Sequence, residues 1–326
     1  MSLLEHLFGF AQKPDTPELL SAIERAVCGV EPLLRHVGRY PGAYRKPVMS
    51  ALEYARSLAL SLPDPVEVNL ASYASDAYVH AIFPSTDVVS EAFRSSRAIQ
   101  DYLREQPSSD EVYALMGMRR REKTTMGMEL SGQLIQRDVP QHIVYFSSHT
   151  IENPAPSEAQ ARERVAWNFF DSLVAQVAKR VASRKQKMQS QLQEKDLLMA
   201  RLHVSDAGER PALQEELSGM LARMQAVTRS LDLHNYLDDF KAVLLDPEQY
   251  LRLNQTSMIL DSMGIIRDSD SAAQGKAILF NDLIGFDRRD WTVTMVHCRD
   301  IRDIQGETFA TRLETAYRSL GHHPLQ

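Results

Sequence analysis

At 326 residues, with 44% hydrophobic and 25% charged residues, the chain has the composition of an ordinary globular protein and room for about two domains. Its net charge of -6 excludes a global basic field, so any contact with nucleic acid needs a local patch. The two cysteines, Cys28 and Cys298, are too few for a disulfide framework and suit a reducing compartment. Both are expected as buried thiols, and the expected location is cytoplasmic. No run approaches the roughly 20 apolar residues of a membrane helix. Residues 2–10 lack a basic n-region, so neither a membrane span nor a secretory signal is expected.

Residues 1–62 read as an N-terminal helical part. Thr16, Pro17 and Glu18 form an N-cap, a first helical proline and a first-turn acid, and Leu19, Leu20, Ile23, Ala26, Val27 and Val30 follow as one apolar stripe. Another helix is predicted from about Pro47 to Leu62, where Pro63 and Pro65 stop it.

Residues 63–156 read as the first strand-rich segment of an α+β body. Val66 to Leu70 alternates apolar and polar residues as a half-buried strand does. Helices are predicted at 75–83 and 86–105, the second capped by Thr86 after Pro84. Three strands are assigned between Val112 and Ile151, with Pro140 at a strand start or edge.

Residues 157–245 form a predicted coiled-coil arm. Ser157 caps a pattern that continues without Gly or Pro to about Val204, on the order of 70 Å of helix. A turn at 205–211 leads into a second helix with Leu213, Leu217, Met220, Met224, Val227 and Leu231 at alternating spacings of four and three, a coiled-coil seam. The outgoing helix places Arg184, Lys185 and Lys187 in the middle of its matching face, so part of the seam is expected to need a partner helix or a second copy. The two helices are expected to pack antiparallel.

Residues 246–326 return to strand texture at 250–253, 258–260, 277–280 and 291–296, then a final helix with Phe309, Leu313, Ala316, Tyr317 and Leu320. Leu134-Ile135, Asp138 and Val144 recur as Leu283-Ile284, Asp287 and Val293, each after a Met-Gly, which suggests an internal repeat. The expected fold is therefore α+β: N-terminal helices, a mixed or antiparallel sheet or barrel built from both strand-rich segments, and an inserted antiparallel helical hairpin.

The sequence contains no GxxxxGK[ST], GxSxG, HExxH or CxxC, and no GxGxxG after a strand. No catalytic residue and no cofactor is assigned, and an enzyme is disfavoured. His142 and His149, and likewise His297 and Cys298, stand an odd number of residues apart and face opposite sides of a regular strand, so no metal set or thiol–imidazole pair is assigned. Arg119, Arg120, Arg121 and Lys123 are the densest positive charge, placed at a hairpin turn where they could grip phosphate or carboxylate, or simply guard an edge. Lys179, Arg180, Arg184, Lys185 and Lys187 surround a helix without interleaved aromatics and suit a solvated arm. The leading reading is an interaction or scaffold protein that self-associates or binds a protein through the arm. A nucleic-acid-associated or phosphate-ligand-binding protein using Arg119 to Lys123 comes second. An enzyme with a site at the junction of sheet and arm, gathering Asp138, His149, Asp287 and His297, comes third.

Overall fold

A computed structural model describes residues 16–131, 134–206, 208–267, 275–286 and 290–305. The fold is α+β, with an antiparallel sheet and a long helix between its two strand-rich segments. Two compact units divide the chain: one takes the described residues up to Ala55 together with Phe169–Tyr250, the other Arg56–Asn168 together with Leu251 onward.

The first unit is helical. Helix α1 (Pro17–Val30) starts at Thr16, whose hydroxyl accepts from the Leu19 N–H. Helix α2 (Gly42–Leu60) starts earlier than Pro47 suggests, with the proline tolerated inside it. Tyr44, fully buried, donates its hydroxyl to the Leu34 carbonyl at 2.6 Å and packs edge-on against Phe240 with ring centroids 5.2 Å apart. Helix α7 (Glu158–Val204) confirms the long uninterrupted pattern, and α8 (Arg210–Ser230) returns from its tip. The return is not one helix to Leu245: the chain breaks at Leu231, and Asp232 caps a new helix α9 (Leu233–Leu244) by accepting from the His234 N–H.

Near the tip, Leu213, Met220 and Met224 are buried with Leu198 of α7, and Met188, Leu202 and Leu217 pack against them. Much of the α8 seam is thus covered from within its own hairpin, and Val227 is also buried, at 7% exposed. Two of the cations expected to spoil the outgoing face meet acids, and the third, Lys187, is exposed. Arg184 and Arg180 reach Asp239 of α9 at 2.8 and 3.7 Å, and Lys185 reaches Glu31 at 2.5 Å. Cys28, expected buried, is exposed and contacts Glu24 and Arg35.

The second unit carries the sheet. Its strands run β3-β2-β6-β5-β4: β2 (Val112–Ser131), β3 (Leu134–Ala155), β4 (Leu251–Leu260), β5 (Lys276–Gly285) and β6 (Asp290–Cys298), all antiparallel to their neighbours. Both strand-rich segments therefore share one sheet. The strand expected at 66–70 is only β1 (Val66–Glu67), parallel to β6, because Asn69 and Ser72 form a reciprocal capping box that starts α3 (Leu70–Ser75). Further caps at Asp76, Ser85 and Ser96 divide what reads as two helices into α4 (Ala77–Ile82), α5 (Thr86–Ser95) and α6 (Arg97–Glu105); Ser85, not Thr86, caps α5. These helices lie on one face of the sheet, where Phe83, Phe93, Ile99, Met116, Phe146, Phe280 and Val296 make one core. Fully burying each such side chain stabilises by roughly 1.5–3 kcal/mol.

The three strands expected between 112 and 151 are two long ones. β2 pairs with β6 only as far as Met118; beyond it, β2 and β3 continue as a ribbon, which the segment 264–266 joins along β3 at 142–144. Three register shifts interrupt the pair, and at each one β3 carries the extra residue: Asn153, Ser148 and Asp138, with φ of 58, 55 and 57°. Asn, Asp and Ser are short polar residues that tolerate this left-handed backbone at a bulge. After β4 the chain turns at 261–264 and crosses to β3, where the Val144 N–H donates to the Gly264 carbonyl and the Ile266 N–H to the His142 carbonyl. The two edge strands are thereby stitched together. A side chain at Gly264 (φ +75°) would sit 2.6 Å from the Val144 carbonyl oxygen, so glycine is required there. Met263-Gly264 thus makes a turn, whereas Met126-Gly127 lies within β2; the repeated sequence pattern does not mark equivalent places. The predicted final helix at 309–320 lies outside the described residues. Among the described residues, no helix is long and apolar enough to cross a membrane.

Candidate functional site

Arg119, Arg120, Arg121 and Lys123 are not at a turn. They sit within β2 where it leaves β6 and becomes ribbon, so the strand period of two sorts them onto opposite faces. Arg120 turns toward the helix-covered side. Its guanidinium reaches both carboxylate oxygens of Asp282, at 2.8 and 3.1 Å, and Thr256 and Thr292 each donate to the same carboxylate at 2.8 Å. The Asp282 side chain is 8% exposed, so this is a buried, fully bonded pair and not a free cation.

Arg119, Arg121 and Lys123 share the opposite face. Arg119 lies 4.0 Å over the ring of Trp291 on β6, and the Lys123 ammonium is 5.6 Å from the ring of Tyr145 on β3, which stands directly opposite Arg121. Arg121, Lys123 and Tyr145 are exposed. The register puts Ser147, Tyr145, Ile143 and Gln141 beside these cations, so between Arg119 and Thr125 that face of the ribbon carries no acid. Glu122 points with Arg120 to the other side. No carboxylate among the described residues pairs with Arg121 or Lys123. Successive cations two residues apart stand about 6.6–6.8 Å from one another along a strand.

The arrangement can hold an extended polyanion. Cations at regular spacing meet phosphates or other acidic groups, and the accompanying rings offer π-faces. The aromatic partners were invisible as a motif because Tyr145 and Trp291 come from other strands; their signal is register, not local sequence.

The remaining candidates are held in structural roles. His297 places its Nε2 3.0 Å from Glu111 and its Nδ1 3.4 Å from Glu67, and stacks on Tyr113 with centroids 4.0 Å apart. It ties β1 to the edge of β6. Cys298 faces the other way into the core, where burial pushes its thiol up to about 12. His142 and His149 end up in phase after all, because the bulge at Ser148 shifts the alternation by one. His149 stacks on Phe83 at 4.7 Å and bonds the Ile82 carbonyl, and burial draws its pKa below the usual imidazole value. Asp138, His149 and His297 do not gather: along β2 they stand opposite 127–128, 117–119 and 113, the extremes separated by on the order of 45 Å of strand. Asp287 lies outside the described residues. No group of three or more His, Cys, Asp or Glu side chains among the described residues is placed to hold a metal.

A cleft of about 760 Å³ opens beside the stitched edge, lined in part by Tyr73, His80, Phe83, Phe146, Met263 and Ile278. Two of its ionisable groups maintain the turn: His80 bonds the Ser262 carbonyl, and Asp261 accepts from the Met263 and Ile265 N–H groups and pairs with Arg267 at 2.7 Å; a third, Asp76, caps α4. Comparison of the chain with family models, with curated proteins and with solved structures gives no match.

Proposed function

We propose that this protein binds a polyanion, of the nucleic-acid or polyphosphate class, on the open face of the β2–β3 ribbon. The observation that carries this reading is the row Arg119, Arg121 and Lys123 on one face, with Arg121 and Lys123 exposed and unpaired with any carboxylate among the described residues, and with Tyr145 and Trp291 beside them. A net charge of -6 is compatible with it, because the row is local and long-range repulsion is screened beyond about 8 Å at physiological salt. Two cysteines without a disulfide suit the cytoplasm, where such ligands abound.

The test is a salt titration of binding to a labelled oligonucleotide or to heparin. Arg121→Ala with Lys123→Ala should weaken binding and lower the slope of log K against log salt by about 1.4 for a single strand. No binding by the unaltered protein at 50 mM salt, or a slope untouched by both substitutions, overturns the reading.

Self-association through the hairpin is the second reading, and it shifts from the covered seam to the outer face. Leu192 and Met199 of α7, 39% and 40% exposed, stand one heptad apart, and Leu221 of α8 is 44% exposed. Sedimentation should show a dimer that Leu192→Glu with Met199→Glu converts to monomer; a monomer at all concentrations removes this reading.

A further inference from the structure

We infer that the polyanion is a single-stranded nucleic acid, with Tyr145 as the platform on which a base stacks; this rests on the polyanion reading above. A pure phosphate binder needs charge alone, and a surface guard needs no rings. Here Tyr145 is 44% exposed and stands directly opposite Arg121, with Lys123 diagonal to it and Arg119 lying along Trp291 on the neighbouring strand. Cations and ring therefore alternate over one strip of ribbon. In an extended single strand, phosphates lie on one side and unpaired bases are free to turn their flat faces to the protein, so both halves of the strip are used. A duplex keeps its bases stacked internally and can use only the cations.

The ribbon's geometry agrees with this. A strip of β2 and β3 residues running along the strands offers a track for an extended chain, and the next described side chains on that face, Thr125 and Gln141, are neutral hydrogen-bonding groups. Gln141 is itself bonded to the Met128 carbonyl and packs over Gly127, which closes the strip toward the ribbon tip.

Anisotropy measurements with the full-length protein compare a mixed-sequence single-stranded 20-mer, its duplex, and inorganic polyphosphate of matched charge. The single strand is expected to bind at least tenfold more tightly than either competitor. Tyr145→Leu should lower single-strand affinity roughly 5- to 150-fold, the range that base–aromatic stacking supports, whereas Tyr145→Phe should retain it. Circular dichroism of both variants should match the parent, since Tyr145 is exposed. If polyphosphate or duplex binds as well as the single strand, or if Tyr145→Leu has no effect, the stacking inference is overturned while the polyanion reading stands. If none of the three binds at low salt, both are overturned.

Discussion

Two basic stretches of similar density meet opposite fates in this fold. On α7, Arg180 and Arg184 lie one helical turn apart and converge on Asp239, while Lys185 meets Glu31. On β2, the alternation of the strand sends Arg120 to a buried carboxylate and leaves Arg121 and Lys123 exposed on the other face with aromatic company. The helix gathers its cations toward neighbouring acids; the strand divides them. Charge density along a sequence therefore says little until the period of the element is known, since that period decides which charges share a face.

Several substitutions probe this contrast. Arg120→Met strands a buried carboxylate, so it should destabilise the sheet unit by about 3–5 kcal/mol in denaturant unfolding. A loss below 1 kcal/mol would mean that Arg120 belongs with the exposed cations. Asp239→Asn removes the acid, 13% exposed, that two arginines share; a loss of about 1.5–3 kcal/mol is expected from the helical unit. Next in size is a pH effect. Burial holds the His149 imidazole below its ordinary value of 6.5. As pH falls below 6.5 the unfolded chain takes up a proton that the folded one refuses. Stability is therefore complete above that value and declines until the lower folded value is passed. His149→Phe should flatten this part of a stability–pH curve, and an unchanged slope would place the acid sensitivity elsewhere. The smallest effect belongs to Glu31→Gln. Its partner Lys185 is 53% exposed, so the loss should stay within about 1 kcal/mol and shrink further in salt.

Much of this was legible in the sequence. The 47 residues of α7, its Ser157 start and the α8 seam follow from periodicity and the absence of helix breakers. That both strand-rich segments share a sheet follows from a hairpin that brings the chain back. Local capping was less visible: Asn69, Asp76, Ser85, Ser96 and Asp232 each accept from nearby backbone N–H groups and end or restart a helix where the apolar pattern alone reads straight through. The odd-spacing rule for His142 and His149 failed because it assumes a regular strand, and Ser148 adds one residue between them. For the candidate site, the cations were evident but their placement was not. Asp282, Tyr145 and Trp291 are brought to them by register over sequence separations that no local motif spans.

The three bulges have a mechanical consequence for the ribbon. Between Tyr113 and Ser131, β2 is matched by a stretch of β3 that is three residues longer, about 10 Å of extra chain. A longer strand beside a shorter one must take the outer lane of a curve, so the ribbon is coiled by construction. Each extra residue also works as a phase shifter, resetting which side chains face which way from that point on. Removing Ser148 alone would swap the two sides of the strand on one side of the deletion. Either His149 would leave its place against Phe83 or Tyr145 would leave the cations. The composition of the open face therefore depends on a residue that is not one of its cations or rings.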